Sequence, residues 1–415
     1  MRRTLVLAGA TVLAIPALSV AAPAAGLSGT PDATTASVAR VPVSQTYPVP
    51  ASRTFTVRGH GYGHGKGMSQ FGAQGAALKG LDHRKILSFY YPGTEIGRSP
   101  KKVRVLITAD TTDDLVVEHN DRLKLRDRGA KQTYVLPGGK GATRWRLTVG
   151  AGNRDVVHYL SGGTWRLWRP GGADALVGEG EFRAGATPIR LVKPSGTTAY
   201  RGWLRSGRPS ATSTARDTVN VVRMDDYLKG VVPREVYTSW HAQALQAQAV
   251  AARSYASFER GYYPGRYYQI CDTTSCQVYG GHDAEVASTN AAVDATKRVI
   301  LTHGGKTAFT QFSASSGGWT VAGSQPYLPA QPDPYDDHPG NIVHNWSVKL
   351  AASRIENRWP SIGKLQRIRV TARDGNGEWR GRVLTMQLVG GRNTVTVSGD
   401  TFRFAMGLRS TWLTF

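Results

Sequence analysis

"TVNVVRMDDYLKGVVPREVYTSWHAQALQAQAVAARSYASFERG", residues Thr218 to Gly261, joins a strand-like run, a lone glutamate and the longest helical signal in the chain. Its opening residues, Thr218–Val222, read as a strand. Ser239 stands where a helix N-cap is expected, and Gly261 is the matching stop. Between them the alanines recur on adjacent helix faces and let a neighbouring element approach closely, while Leu245, Tyr255 and Phe258 supply bulk. From Lys101–Asp110 ("KKVRVLITAD") to about Tyr200 the pattern is β, with runs such as "TWRLWRP" and "PIRLVKP" between Gly-rich turns. Downstream, "AEVASTNAAVDATKRVIL" reads as a shorter helix entering a strand. "QRIRVTA", "RVLTMQLV" and "NTVTVSG" read as further strands. These elements predict an α+β fold: a largely antiparallel β framework with a few helices, the long Ala-rich one following Glu235.

The N-terminal side is layered differently. Arg2 and Arg3 precede an apolar run, Leu5–Val20, interrupted by Pro16 and followed by Ala22-Pro23-Ala24. This layout predicts a signal peptide over 1–25 and not a membrane anchor. Residues 26–52 are rich in Ala, Thr, Ser and Pro and read as a disordered linker. The folded domain is expected over 53–415. "TFTVRG" begins it as a strand, Met68–Leu78 reads as a short helix, and Asp82 is the expected cap of another through "HRKILSFYY". No later segment has the length of a transmembrane helix, so the mature chain is expected outside the cytoplasm, secreted or wall-associated, with no membrane span after signal cleavage.

Lysine and arginine number 52 against 29 acidic residues, a formal charge of +23. In an exported chain such charge favours anionic wall polymers as attractors through long-range steering; solubility alone accounts for it equally well. The basic residues are scattered and no nucleic-acid-binding motif occurs, so nucleic acid is not an expected partner. Two cysteines, Cys271 and Cys276, lie close together, which in an exported chain favours a local disulfide over half of a zinc site.

Three segments carry side chains suited to chemistry. Glu235 is the only acidic residue between Asp226 and Glu259, and it reads as standing between an apolar strand that ends in Val231-Val232-Pro233 and the start of a helix. Partial desolvation there would raise its pKa and suit a general acid. A glutamate at a helix start, favourably placed on the dipole, accounts for the same residue. The second segment is "GHGYGHGKGMSQFGAQGAA", Gly59–Ala77. His60 and His64 lack the further ligands a metal needs, and the run lacks the Lys-Ser pair of a phosphate loop. Close backbone approach of an extended ligand, with the histidines and Gln70 as polar contacts, fits the glycines best. The third is "QFSASSGGWT", Gln311–Thr320, whose serines suit sugar hydroxyls or a simple turn.

Taken together, "DDYLKGVVPREV", "ALQAQAVAARSYA", "CDTTSCQVYGG", "SASSGGWT", "FRFAMGLRSTW", "GHGYGHGKGMSQFGAQG" and "ILSFYYPGT" resemble the SpoIID/LytB family, the stage II sporulation protein D and amidase-enhancer group. The resemblance covers most of Phe55–Phe415 and is least clear over 110–198, a β-rich insertion or subdomain. It implies work on peptidoglycan glycan strands. SpoIID-type members are lytic transglycosylases that cut between MurNAc and GlcNAc and leave 1,6-anhydro-MurNAc ends, whereas LytB-type members stimulate a separate amidase. The family's catalytic glutamate falls on Glu235. His60, His64, Ser69, Gln70, Arg253, Ser316 and Gly317 are then expected to bind substrate, with no metal and no cofactor. An arginine at position 253 could equally pair with a structural carboxylate. Ser275 stands where some members carry a zinc-binding His, which favours the Cys271–Cys276 disulfide. Val236-Tyr237 replaces the family's usual Met-Pro.

The order of the pieces also departs from the family's. There the "LRST" strand leads directly into the glycine-histidine motif; here it ends the chain. This is the layout of a circular permutation, and it predicts that Thr411–Phe415 pairs antiparallel with Thr54–Arg58.

Overall fold

The runs between Lys101 and Arg223 build two sheets, antiparallel except where the short strand Ile270–Cys271 joins the edge of one in parallel with Lys102–Leu106. The computed structural model describes residues 39–415 except 263; the expected signal peptide and the first part of the expected linker lie outside these. A six-stranded sheet is formed entirely by strands between Leu115 and Tyr200. Alternation in Arg144–Gly150 turns Trp145 and Leu147 inward. The seven-stranded sheet mixes strands from inside and outside the 110–198 region. Lys124–Asp127, Gln132–Val135 and Gly180–Arg183 extend a sheet that also holds Lys102–Leu106, Trp203–Gly207 and Asp217–Arg223. One hydrophobic core runs from Trp145 to Leu245, so the β-rich region shares its interior with the helices that follow. The fold is α+β with mostly antiparallel sheets.

Two short helices follow the glycine-histidine run: α1 (Gln70–Leu78), capped by the Ser69 hydroxyl, and α2 (His83–Tyr90), capped by Asp82. The next differs from the sequence reading. Residues after Arg223 leave the strand at once and form α3 (Met224–Glu235). Asp225 and Asp226 sit in its first turn, where the helix dipole favours them. Tyr227, Leu228, Val231 and Val232 recur at helical spacing and are buried. The Val-Val-Pro triplet resembles a strand, yet Pro233 occupies the last turn. Helix α4 (Ala242–Tyr262) starts three residues beyond the expected Ser239 cap, and α5 (Ala287–Ala295) packs against it. Arg253, fully buried on α4, ties these helices together. Its guanidinium donates to Asp225 Oδ1 at 2.9 Å, to the Val299 carbonyl at 3.0 Å and to the Val293 carbonyl at 3.1 Å.

A second core lies under a four-stranded sheet, Val41–Pro48, Leu365–Arg373, Val383–Gly390 and Thr394–Ser398, and includes the short helices α6 (Ala352–Arg358) and α7 (Gly399–Ala405). The strand Val41–Pro48 corrects the expected linker over 26–52. It is an edge strand, a position that tolerates its Pro42 and Pro48 and lets every second residue face solvent. Thr54–His60 pairs antiparallel with Asn345–Ala351 on one side and with Leu413–Thr414 on the other. The pairing expected from a permuted order is therefore present, at Arg58 with Thr414 and Gly59 with Leu413.

The glycine-histidine run is bare for a reason other than the one expected. Gly61, Gly63, Gly65 and Gly67 all have positive φ. A Cβ at Gly61 would meet Ser315 O at 2.7 Å, and one at Gly67 would meet Gln311 O at 2.0 Å. The run lies against the chain's own 311–317 segment, with Trp346 closing on Gly59 and Arg382 on Gly65, and these internal contacts exclude side chains. Gly67→Ala is expected to cost roughly 3 kcal/mol or more. Gly80→Ala, also at positive φ but with nothing within 4 Å of a Cβ, should cost only about 1 kcal/mol. Chemical denaturation of both variants measures the difference; equal costs would exclude the backbone clash.

Candidate active site

Glu235 is the last residue of α3, not the helix-start residue that its sequence context suggested. Outward-pointing carbonyls at that end disfavour a negative charge. The residue keeps part of its surface open to solvent, while its carboxyl is packed closely enough by protein to be desolvated. Desolvation pushes the carboxyl up to about 7, against the Gln70 amide and a backbone hydrogen bond from Val278, which both pull it down. Arg234 is exposed and packs on Gly280, so it does not offset the shift.

The elements around Glu235 come from distant parts of the chain. Gln70 opens α1, directly after the glycine-histidine run. Val278 follows the loop closed by the Cys271–Cys276 disulfide, whose Cα atoms are 5.5 Å apart. Tyr227 on α3 and Tyr255 on α4 are both raised by burial, with the Glu235 charge adding to the shift. Phe71 of α1 stacks near Trp240 at 5.0 Å, and Tyr237 lies 5.5 Å from Trp240, forming an aromatic group on the connection out of α3.

Two buried amides have hydrogen-bonding capacity to spare. Gln70 is buried, faces Glu235, and its Nε2 closes no hydrogen bond of ordinary geometry among the described residues. Gln248 is buried as well, with neither amide atom partnered among the described residues. It lies seven residues before Tyr255, on the same stripe of α4. The sequence reading missed Gln248, because a glutamine in an Ala-rich helix looks like a solvated position.

Several expected binding residues have other tasks. Ser69, Ser316 and Gly317 belong to a buried network around Asp336. The Ser69 hydroxyl donates to Asp336 Oδ1 at 2.5 Å and the Ser315 hydroxyl to Oδ2 at 2.7 Å. The amides of Ser316 and Gly317 donate to the same carboxylate, each at 3.0 Å. His344 Nδ1 lies 2.8 Å from Oδ2. The Ser316 hydroxyl is turned to Asp333, 2.8 Å away. Burial alone would raise Asp336, but hydrogen bonds from His344, Ser69 and Ser315 outweigh it and hold the carboxyl below the usual range. Arg253 serves the helix junction described above and lines no groove.

The histidines are likewise engaged. Desolvation lowers His64 to about 3, so the ring is neutral. Its Nδ1 accepts from the Lys66 amide at 2.9 Å and the ring also bonds the Phe312 backbone, leaving no free nitrogen. His60 contacts Asn345 and Glu378 and stacks on Trp379 at 4.6 Å, away from Glu235. Of the expected substrate-binding residues, Gln70 alone touches the surroundings of Glu235.

Residues 212–303, which contain Glu235 and the disulfide, match the family model of SpoIID, the stage II sporulation protein. The amidase enhancer of Bacillus subtilis (strain 168) is 36% identical over 137 residues, 32% of this chain and 18% of that relative. The segment that carries Glu235 is thus similar to the SpoIID family. An uncharacterized protein of Brachyspira hyodysenteriae (strain ATCC 49526 / WA1) is 41% identical over 103 residues, 25% of this chain and 28% of the relative. The chain thus aligns with less than a third of the length of either curated relative.

Two consequences can be measured. A carboxyl raised from 4.5 to about 7 stabilises the fold fully only while protonated, so its contribution is present below the unfolded value and is lost as pH rises through 7. Glu235→Gln should therefore gain stability over the wild type, by on the order of 2 kcal/mol at about pH 8 and little at about pH 4. Thermal melts across that range would exclude the shift if the gap stayed constant. Asp336 has the opposite sign: its contribution is present above the unfolded value of 3.8 and is lost as pH falls through the folded one. Asp336→Asn is expected to cost about 3 kcal/mol near neutral pH, leaving buried donors unpaired, with the deficit shrinking in acid.

Proposed function

We propose that the protein works on the bacterial cell wall as an exported peptidoglycan lytic transglycosylase, with Glu235 as its single acid and base. The observation that carries this reading is the Glu235 carboxyl: partly open to solvent, raised to about 7 by desolvation, and faced by the Gln70 amide. A group with that pKa is substantially protonated near neutrality and able to act as general acid.

In the first half of the reaction Glu235 donates its proton to the glycosidic oxygen, and the bond from that oxygen to C1 of MurNAc breaks. Positive charge then develops at C1 and the ring oxygen. In the second half the carboxylate takes the proton from the C6 hydroxyl of the same sugar as O6 bonds to C1. The products are a 1,6-anhydro-MurNAc end and a free GlcNAc hydroxyl, and Glu235 regains its proton. No water is consumed, so the second carboxylate of the usual glycosidase pair has no task here. The Gln70 amide, which faces the Glu235 carboxyl, is placed to reach a substrate oxygen beside the acid. The formal charge of +23 would hold such an enzyme near anionic wall material.

A second reading has its own support. The Bacillus relative is named an amidase enhancer, and Val236-Tyr237 alters the residues beside the acid. On that reading the protein binds glycan and stimulates an amidase without cutting the strand itself.

Incubation of denuded glycan strands with wild type and Glu235→Gln, followed by mass spectrometry, separates the two. Transglycosylase action requires anhydro-MurNAc ends from the wild type and at least a roughly hundredfold loss in the variant. It also requires kcat/KM to fall above about pH 7, as the acid ionises. Equal product from both proteins would remove Glu235 from the mechanism. No product from either would leave the amidase-stimulating reading.

A further inference from the structure

The first turn of α3 opens on a cavity of about 470 Å³ that Glu235 does not line. Lys102, Arg201, Trp203, Arg223 and Asp226 form its wall. Asp226 and Glu235 are separated by about 14 Å of helix, so the cavity and the proposed catalytic residue occupy opposite ends of one element.

The cavity carries more positive charge than its neighbours neutralise. Lys102 Nζ lies 3.5 Å from the centroid of the Trp203 ring, and the Arg183 guanidinium 3.7 Å from it. Burial lowers the Lys102 ammonium, and Arg183, Arg223 and Arg205 push the same way against Glu181. Glu181, itself fully buried, is already taken by Arg183 and Arg205. Arg201 is likewise paired with Glu285, at 3.0 Å. Five cations, Lys102, Arg183, Arg201, Arg205 and Arg223, thus face three carboxylates, Glu181, Glu285 and Asp226. Neither Lys102 Nζ nor the Arg223 guanidinium donates a hydrogen bond to a described residue. The amide end of α3 adds a further partial positive charge at the rim.

We propose that this cavity is a phosphate-binding site, and that its occupant is a phosphodiester unit of an anionic wall polymer. An arginine fork and an ammonium beside an aromatic platform suit phosphate oxygens, and two uncompensated cations suit the charge. The choice of polymer rests on the cell-wall reading above; phosphate recognition by the cavity does not. A polymer bound here would tether the protein at one end of α3 while the other end meets glycan.

Calorimetric titration at low salt with two probes, inorganic phosphate and poly(glycerol phosphate), tests the assignment. Wild type is expected to bind both, more weakly as salt rises. Arg223→Gln and Lys102→Gln should each weaken binding by roughly tenfold. Lys306→Gln, an exposed lysine on a remote hairpin, should bind as wild type, and circular dichroism checks that every variant is folded. Absence of binding by both probes, or equal binding by the cavity variants, overturns the site. Binding of phosphate without the polymer overturns the occupant. Glycan cleavage by the same samples is read separately, so loss of anhydro product with phosphate binding intact would count against the transglycosylase reading alone.

Discussion

The Asp336 carboxylate is the constraint on which the site depends. It is buried and ionised, and it gathers donors from Ser69, from residues 315–317 and from the Asn341–His344 turn. Ser69 also caps α1, so the same hydroxyl that accepts from the Gly72 amide donates to Asp336. The next residue is Gln70. A carboxylate with no chemical task of its own therefore sets where the amide facing Glu235 can stand. The alternating glycines complete this arrangement, because they let the strand that carries Ser69 lie flat on the 311–317 backbone.

Helix α3 then gives direction to the electrostatics. Its amide end meets a basic cavity and its carbonyl end meets a half-buried glutamate. The helix dipole works in the same direction as desolvation at the Glu235 end and as the arginines and Lys102 at the cavity end. Arg253 holds the helix in that orientation through Asp225. The arginine earns its burial by satisfying carbonyls from α5 and from the strand after it.

Much of the scaffold was legible in the sequence because its signals are local. The β alternation of 101–200, the Asp82 cap, the Ala-rich helix and the strand after Ala295 all follow from propensity and period. The elements that were not legible depend on distant partners. Val41–Pro48 has linker-like composition and becomes a strand only because Leu365–Arg373 offers an edge. Val231-Val232-Pro233 looks extended until the shared core fixes its helical face. Site residues show the same division: Glu235 was visible as a lone acid in an apolar setting, whereas Ser69, Ser316 and His64 looked available. Ser69 and Asp336 are 267 residues apart, the Ser316 hydroxyl is taken by Asp333 and His64 by Lys66 and Phe312, and only the folded chain reveals that these hydrogen bonds are already spent.

Those separations also bear on how the molecule comes into being. Thr54–His60 is held by Asn345–Ala351 and Leu413–Thr414, and Met68–Ser69 by Phe312–Ser313. Closing loops of that length is entropically costly, and such contacts are expected to form after the local ones. The two tyrosines and the helix end around Glu235 belong to one core and assemble from nearer segments. Gln70 arrives only when the long loops close. The carboxyl has its full surroundings only once those distant segments have met, so completion of the fold is itself the step that arms it.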